Sequence, residues 1–334
     1  MRQIFSIARR LEAGAGTLLV VMLLGLSGCS PGIPSDCPPD MDCNEPVPPA
    51  PLVRPEHVTA QVGAPVTLTA VPGNMSADQV TWQWYRSSDD GAHYVAIAGA
   101  TSAVLSIASV SLADDATTFQ VIARSNGLSG NAVSRLAVSA SPGVVYADGE
   151  FAPADWVAAV LADGVVSAPA HTEQLVATGG HPGAYRQMAV QLDPQATRET
   201  VGFTSQAGTY EPRTQGAVYV IDYSEDGVLL ETSFSKSARS ALLLDQAGRR
   251  YFAAPAGSHG NLSMAWDVGQ DTPSLHAEDF TLLDGPACQP GESCPDFTAA
   301  GATMRFGYWR IASGPAGATV SHGIDNWKVT VWKR

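Results

Sequence analysis

Val66-Thr67-Leu68-Thr69-Ala70 sets an apolar side chain at every second place, with threonine between. A strand sends successive side chains to opposite faces, so this alternation writes one buried face and one wet face. The period recurs around it, at Val80, Trp82 and Trp84, at Leu105 and Ile107, at Phe119, Val121 and Ala123, and at Leu136 and Val138. Pro72-Gly73-Asn74, Ser87-Ser88-Asp89-Asp90-Gly91 and Ser125-Asn126-Gly127 supply the turns. Residues 55–140 therefore read as the half-buried strands of a β-sandwich. Trp82 and Trp84 share a face and read as core, not as a sugar platform. His57 and His93 fall at loop or edge positions and read as surface.

The order of these pieces names a family. Gln83-Trp84-Tyr85, Gly99-Ala100-Thr101-Ser102, Ala113-Asp114-Asp115-Ala116-Thr117-Thr118-Phe119 and Ser125-Asn126-Gly127 together resemble bacterial immunoglobulin-like domains. The resemblance implies that Trp84 is the core tryptophan. It places Ala70 and Val121 where many members carry the inter-sheet cysteines, so no core disulfide is expected. Phe119 stands at the tyrosine-corner position without the hydroxyl.

Upstream, a basic head with Arg2, Arg9 and Arg10 precedes an apolar run that ends in Leu26-Ser27-Gly28-Cys29, the order of a secretory signal. The thirteen uncharged residues from Thr17 to Cys29 fall short of a membrane span, which takes about 20. The tetrapeptide resembles the lipobox of bacterial lipoproteins. That resemblance implies a lipid thioether on Cys29, cleavage of residues 1–28 and acylation of the new amino terminus, an anchor of several chains. Ser30, where an aspartate would imply retention at the inner membrane, points to the outer membrane. Residues 29–54 are rich in proline and poor in large apolar side chains, so they read as a tether. At about 3 Å per residue it reaches on the order of 50 Å or more.

Without the leader's three arginines and Glu12, 16 basic residues face 31 acidic ones. That balance excludes nucleic acid as a partner, because phosphate binding needs a basic surface. Four further cysteines form two local pairs, Cys37 with Cys43 and Cys288 with Cys294, each enclosing five residues. An even count in a secreted chain argues for disulfides. Metal binding is the weaker reading, since the spacing is not CxxC and no histidine adjoins either pair.

Residues 143–334 are also strand-rich. Ala217 to Tyr223, Val228 to Thr232, Ala241 to Leu244, Tyr251 to Ala254, Leu262 to Val268, Thr303 to Trp309 and Trp327 to Trp332 read as strands of a large sandwich or jelly roll. Ser224-Glu225-Asp226-Gly227 reads as a hairpin turn, and Asp155 to Leu161 as one short helix. The opening Asp148-Gly149-Glu150-Phe151 and the closing Ile324-Asp325-Asn326-Trp327 resemble the ends of jelly-roll carbohydrate-binding modules and concanavalin-like lectin domains. The resemblance implies a structural calcium held by Asp148, Glu150 and Asp325, the hard cation and oxygen donors suiting each other. The alternative is that Asp325-Asn326 caps the final turn through its own side chains.

Gly179 to Arg186 reads either as a loop presenting Tyr185 and Arg186 to a ligand or as a turn leading into a strand. In Tyr308-Trp309-Arg310, alternation puts Tyr308 and Arg310 on one face and Trp309 on the other. No G-x-S-x-G elbow or HExxH motif occurs, and neither Glu225-Asp226 nor Glu278-Asp279 has the strand spacing of a glycosidase pair. The expectation is a mainly β protein of two sandwiches on a lipid-anchored tether. It binds a glycan or other surface ligand without catalysis, through Tyr185, Arg186, Trp309, Arg310 and His322. A structural or adhesive protein that meets other proteins is the rival, and a carbohydrate-active hydrolase the third reading.

Overall fold

The computed structural model describes residues 50–161, 170–206, 208–253, 261–283 and 288–334. Cys29, Cys37 and Cys43 lie outside the described residues. Residues 48–334 form one compact unit.

Its first part contains β1 (Leu52–Arg54), β2 (His57–Gln61), β3 (Val66–Val71), β4 (Thr81–Ser87), β5 (Val95–Ala96), β6 (Val104–Ile107), β7 (Thr118–Ser125) and β8 (Leu128–Ser139). One sheet has the order β1-β3-β6 and the other β2-β8-β7-β4-β5. This distribution of consecutive strands over two sheets is that of an immunoglobulin-like sandwich. Val66, Leu68 and Ala70 of β3 point inward against Trp84 and Val121, which face each other across β4 and β7. The Trp84 indole donates to the Ser102 carbonyl at 2.9 Å, so its one polar atom is satisfied inside the core. Trp82 is half-buried at the rim of the same cluster. Asn126 and Gly127 both take positive φ, 50° and 80°, the primed two-residue turn that matches strand twist.

The second part is larger. It contains β9 (Val144–Asp148), β10 (Trp156–Leu161), β11 (Ala170–Gly180), β12 (Gly183–Gln191), β13 (Arg198–Ser205), β14 (Val218–Leu229), β15 (Ser237–Gln246), β16 (Arg249–Ala253), β17 (Asp267–Leu275), β18 (Thr281–Leu282), β19 (Met304–Ser313) and β20 (Thr319–Lys333). A six-stranded sheet β10-β13-β19-β15-β16-β18 faces the sheet β11-β12-β20-β14-β17, on which β9 also pairs with β20. One apolar cluster fills the space between, with Phe203, Tyr308, Phe306, Trp327 and Val329 at its centre. Strands β13 and β19 come so close that a Cβ on Gly307 would lie 1.9 Å from the Phe203 carbonyl oxygen, so only glycine fits.

Two expected elements are different. The stretch Asp155 to Leu161 is not a helix: after a 3-10 turn at Pro153–Asp155, β10 pairs with β13. A short apolar run does not choose between helix and strand by itself, and here the free edge of β13 decides, with Trp156 packed edge-on against Trp327. Ser224 to Gly227 is not a hairpin turn either, because β14 runs straight through it. Irregularities between Ser224 and Asp226 absorb the change of register. In β20, Asn326 at a φ of 49° has the same effect. Val320 and Ile324 face inward before it, and Trp327, Val329 and Val331 after it.

The two sandwiches meet in a polar and aromatic seam. Ala137 at the end of β8 packs with Tyr219, Val220 and Trp332. Asp222 of β14 accepts the Thr59 hydroxyl at 2.8 Å, the Ser274 amide at 2.7 Å and the Trp332 indole at 2.6 Å. Burial pushes the Asp222 carboxyl above its ordinary range, and these three donors work against that shift. Tyr219 donates to Asp115 of the first sandwich at 2.5 Å.

Candidate functional site

Strands β12, β19 and β20 carry the five residues expected to touch a ligand, and all five are buried. In the register of β12 with β20, Arg186 lies opposite Ile324 and Met188 opposite His322, so Arg186 and His322 both project from the inner face. Arg310 projects from the facing sheet, between Tyr308 and Ala312. Tyr185 and Trp309 point the other way and are covered there. Trp266 closes over Tyr185 with its ring edge-on at 5.3 Å, and Phe252 stacks on Trp309 at 4.6 Å. These residues are therefore not a ligand platform. Alternation assigned Tyr308 and Arg310 to one face and Trp309 to the other correctly; what it could not show is that both faces of β19 are covered.

Instead, three of them belong to an ionic interior. Arg310 Nη2 lies 2.8 Å from Glu225 Oε1, with neither side chain exposed. Ser240 and Tyr223 donate to the two oxygens of Glu225, and Arg310 Nη1 donates to Ser240 at 3.1 Å. Arg186 pairs with Glu173 and lays its guanidinium over the Phe203 ring at 4.7 Å. Burial of such pairs is costly unless the remaining donors and acceptors are met as well, and here Arg310 Nε and Arg186 Nη1 are buried without a hydrogen-bond partner. Burial opposes the Arg310 charge, yet Glu225 holds its pKa above the ordinary value. His322, fully buried, has no hydrogen-bond partner, and burial with Arg310 beside it lowers its pKa to about 3. Neutral imidazole is the form this interior holds. Glu225, Tyr223, Ser240 and Glu173 escaped sequence reading. The signal for two of them was there, since Ile221, Tyr223 and Glu225 continue one period-two face.

The calcium set is not assembled. Asp148 Oδ1 accepts the amides of Glu150 and Phe151, both at 2.8 Å, and its Oδ2 accepts the Trp156 indole at 2.6 Å. Its lone pairs thus hold the turn after β9. Glu150 is exposed, Asp325 is buried, and among the described residues no group of three or more His, Cys, Asp or Glu could hold a metal ion. Asp325 joins other partners, accepting the amides of His181 at 2.6 Å and Asn326 at 2.8 Å. Nor does Asp325-Asn326 cap a final turn, since both residues sit inside β20. Burial raises the Asp325 carboxyl, aided by Asp226. Asp226 is held by the Gly269 amide and Asn326, and lies 3.1 Å from the ring of half-exposed His181.

An open concavity lies elsewhere. A groove of about 1120 Å³ runs beside the loop that Cys288 and Cys294 pin together, their Cα atoms 4.7 Å apart. Tyr219, Arg249, His276, Asp296, Thr298 and Arg334 line it. The Arg334 guanidinium lies 5.2 Å over the Tyr219 ring and His276 meets that ring edge-on at 5.8 Å. Gln246 fixes the floor, its amide donating to the carbonyls of Asp296 and Ala302 and its oxygen accepting the Asp296 amide. Sequence spacing gave no sign of this site, because its walls come from strand ends and loops far apart in the chain.

No protein-family model matches the sequence, and no curated protein matches it. Among solved structures, one bearing on Dscam isoform specificity is 28% identical over 27% of this chain and 21% of its own, with a TM-score of 0.22. The N-terminal four Ig domains of Dscam1 isoform 4.44 give 26% identity over 28% and 21%, with a TM-score of 0.23. A marsupial T cell receptor gives 14% over 47% and 94%, also at 0.23. The chain spans about a fifth of the length of the Dscam structures it matches. Likenesses this partial carry neither fold nor function across.

Proposed function

We propose that this chain is a lipid-anchored, non-catalytic binding protein whose C-terminal sandwich takes a glycan or another surface ligand in the groove beside the Cys288–Cys294 loop. The lipobox-like Leu26 to Cys29 supports the anchor, and the proline-rich tether after it suits display away from a membrane. The groove carries the binding reading. It sets the Arg334 guanidinium, which lies over the buried Tyr219 ring, beside the rim residues Arg249, His276 and Thr298 around a loop held by a disulfide. Concave sites with a few fixed polar groups are where ligands bind, and a pinned loop loses little freedom when one does.

The test is a glycan array with the compact fragment 48–334, followed by Ala299→Trp, which fills the groove from its exposed rim. A bound glycan should be lost while the melting temperature stays. Binding that survives Ala299→Trp rejects the groove. For the anchor, fatty-acid labelling should tag the parent chain and spare Cys29→Ala.

A further inference from the structure

Sheet edges are templates for other strands, and most edges among the described residues are blunted. Strands β1, β5, β6 and β18 have four residues or fewer. Edge strand β17 carries Asp267, Asp271 and Pro273 and two irregularities, and Thr59 of β2 meets it at Ser274 with a hydroxyl pair at 2.7 Å. Strand β11 differs. It is eleven residues long, forms the end of its sheet, and among the described residues pairs only with β12. It has no lysine, arginine or proline. Its one carboxylate, Glu173, is engaged with buried Arg186, and the irregularity near Gly180 leaves 170–176 in regular register. Thr172, Gln174 and Leu175 are exposed and uncharged, and threonine is a good strand former. On the same flank β10 ends the facing sheet with six uncharged residues.

From this edge we infer that the protein self-associates through β11, pairing antiparallel with the β11 of a second copy about a two-fold axis. An antiparallel pair is its own complement under such an axis, so one strand supplies both sides of an isologous contact. Centred on Gln174, the pairing sets Thr172 opposite Val176 and Glu173 opposite Leu175, so no like charges meet. The overall acidity of the chain opposes approach, but at physiological salt that repulsion is screened beyond about 8 Å. Dimerisation should therefore weaken as salt is removed.

Sedimentation velocity of fragment 48–334 over its soluble concentration range should show the mass doubling. Hydrogen exchange at residues 170–178 should slow in step with it. Gln174→Lys and Gln174→Glu each place like charges opposite across the axis, so each variant alone should shift the dimer to several-fold higher concentration. An equimolar mixture of the two should restore it, which a misfolded variant would not do. A parent that stays monomeric throughout, or variants that dimerise as the parent does, would overturn the inference.

Discussion

In the first sandwich Leu68, Trp84 and Val121 are sealed among apolar neighbours, and in the second Arg310, Glu225 and His322 are sealed as completely. Hydroxyls are the buried polar groups of the first, Ser87, Thr117, Thr118, Ser134 and Ser139. The second adds Arg186, Glu199, Glu225, Asp226, Arg310, His322 and Asp325. An apolar interior tolerates loss of one member in proportion to the volume removed. An ionic interior depends on pairing, because an orphaned buried charge costs far more than the pair contributes.

Glu225→Ala probes that difference most strongly. It strands Arg310 and removes the acceptor of Tyr223 and Ser240, so it should cost about 3–5 kcal/mol in denaturant unfolding. Removing both charges as Arg310→Met with Glu225→Leu should recover most of that loss, as replacement of a buried pair by apolar volume is about neutral or better. Leu68→Ala in the first sandwich should cost about 2–5 kcal/mol, with no partner change that restores it. A Glu225→Ala protein within about 1 kcal/mol of the parent, the range of a surface pair, would erase the comparison.

The same contrast explains what the sequence disclosed. Period two at Val66, Leu68 and Ala70 described the first sandwich because its inner face is apolar throughout. In the second, the code breaks where an inward position holds a charge. Arg186, Arg310 and His322 read as surface groups awaiting a ligand, since charge ordinarily marks the wet face. Glu225 read as part of a turn because Ser-Glu-Asp-Gly is turn chemistry when its surroundings are unknown. Only the facing sheet supplies the partners that make those positions interior. The groove was out of reach for another reason: Tyr219, Arg249, His276 and Thr298 share no local pattern, and only the closure of the sheets brings them together.

A smaller effect separates the sandwiches by cross-linking. The first has alanine and valine at Ala70 and Val121, both buried, where an inter-sheet disulfide could stand, while the second pins a loop through Cys288 and Cys294. Opening that bond with Cys288→Ala and Cys294→Ala together frees a short loop, worth about 2 kcal/mol on the chain-entropy account. Calorimetry should find that loss, and a glycan that the array shows to bind in the groove should bind more weakly because the loop is no longer held.

Acid should distinguish them next. His322 has a pKa of about 3 in the folded chain against an ordinary 6.5, so between those values the unfolded chain binds more protons. Stability from this group is therefore complete above about pH 6.5 and falls as pH drops toward 3, by about 1.4 kcal/mol at pH 5.5. Unfolding of His322→Leu measured against pH should lack that component of the slope. Equal slopes for the two proteins would mean that His322 is protonated inside the fold.

The smallest expected change tests whether the contrast between the interiors survives at the seam between them. Tyr219 donates to Asp115, which also accepts the Val138 amide, so Tyr219→Phe removes one bond and leaves the carboxylate another donor. Burial, with Asp115 beside it, also pushes the Tyr219 hydroxyl well above its ordinary range, so it stays protonated and donating across the neutral and mildly alkaline range. The cost should be about 1 kcal/mol, that of a single hydrogen bond. Its placement matters more than its size. With Ala137, Val220 and Trp332 packed around it and Asp222 bonded to Thr59 and Trp332 nearby, the seam should make both sandwiches unfold in one transition. Tyr219→Phe should then lower the whole transition slightly. A parent that already unfolds in two separate steps, with Tyr219→Phe moving neither, would show that each interior stands alone and that the seam transmits nothing between them.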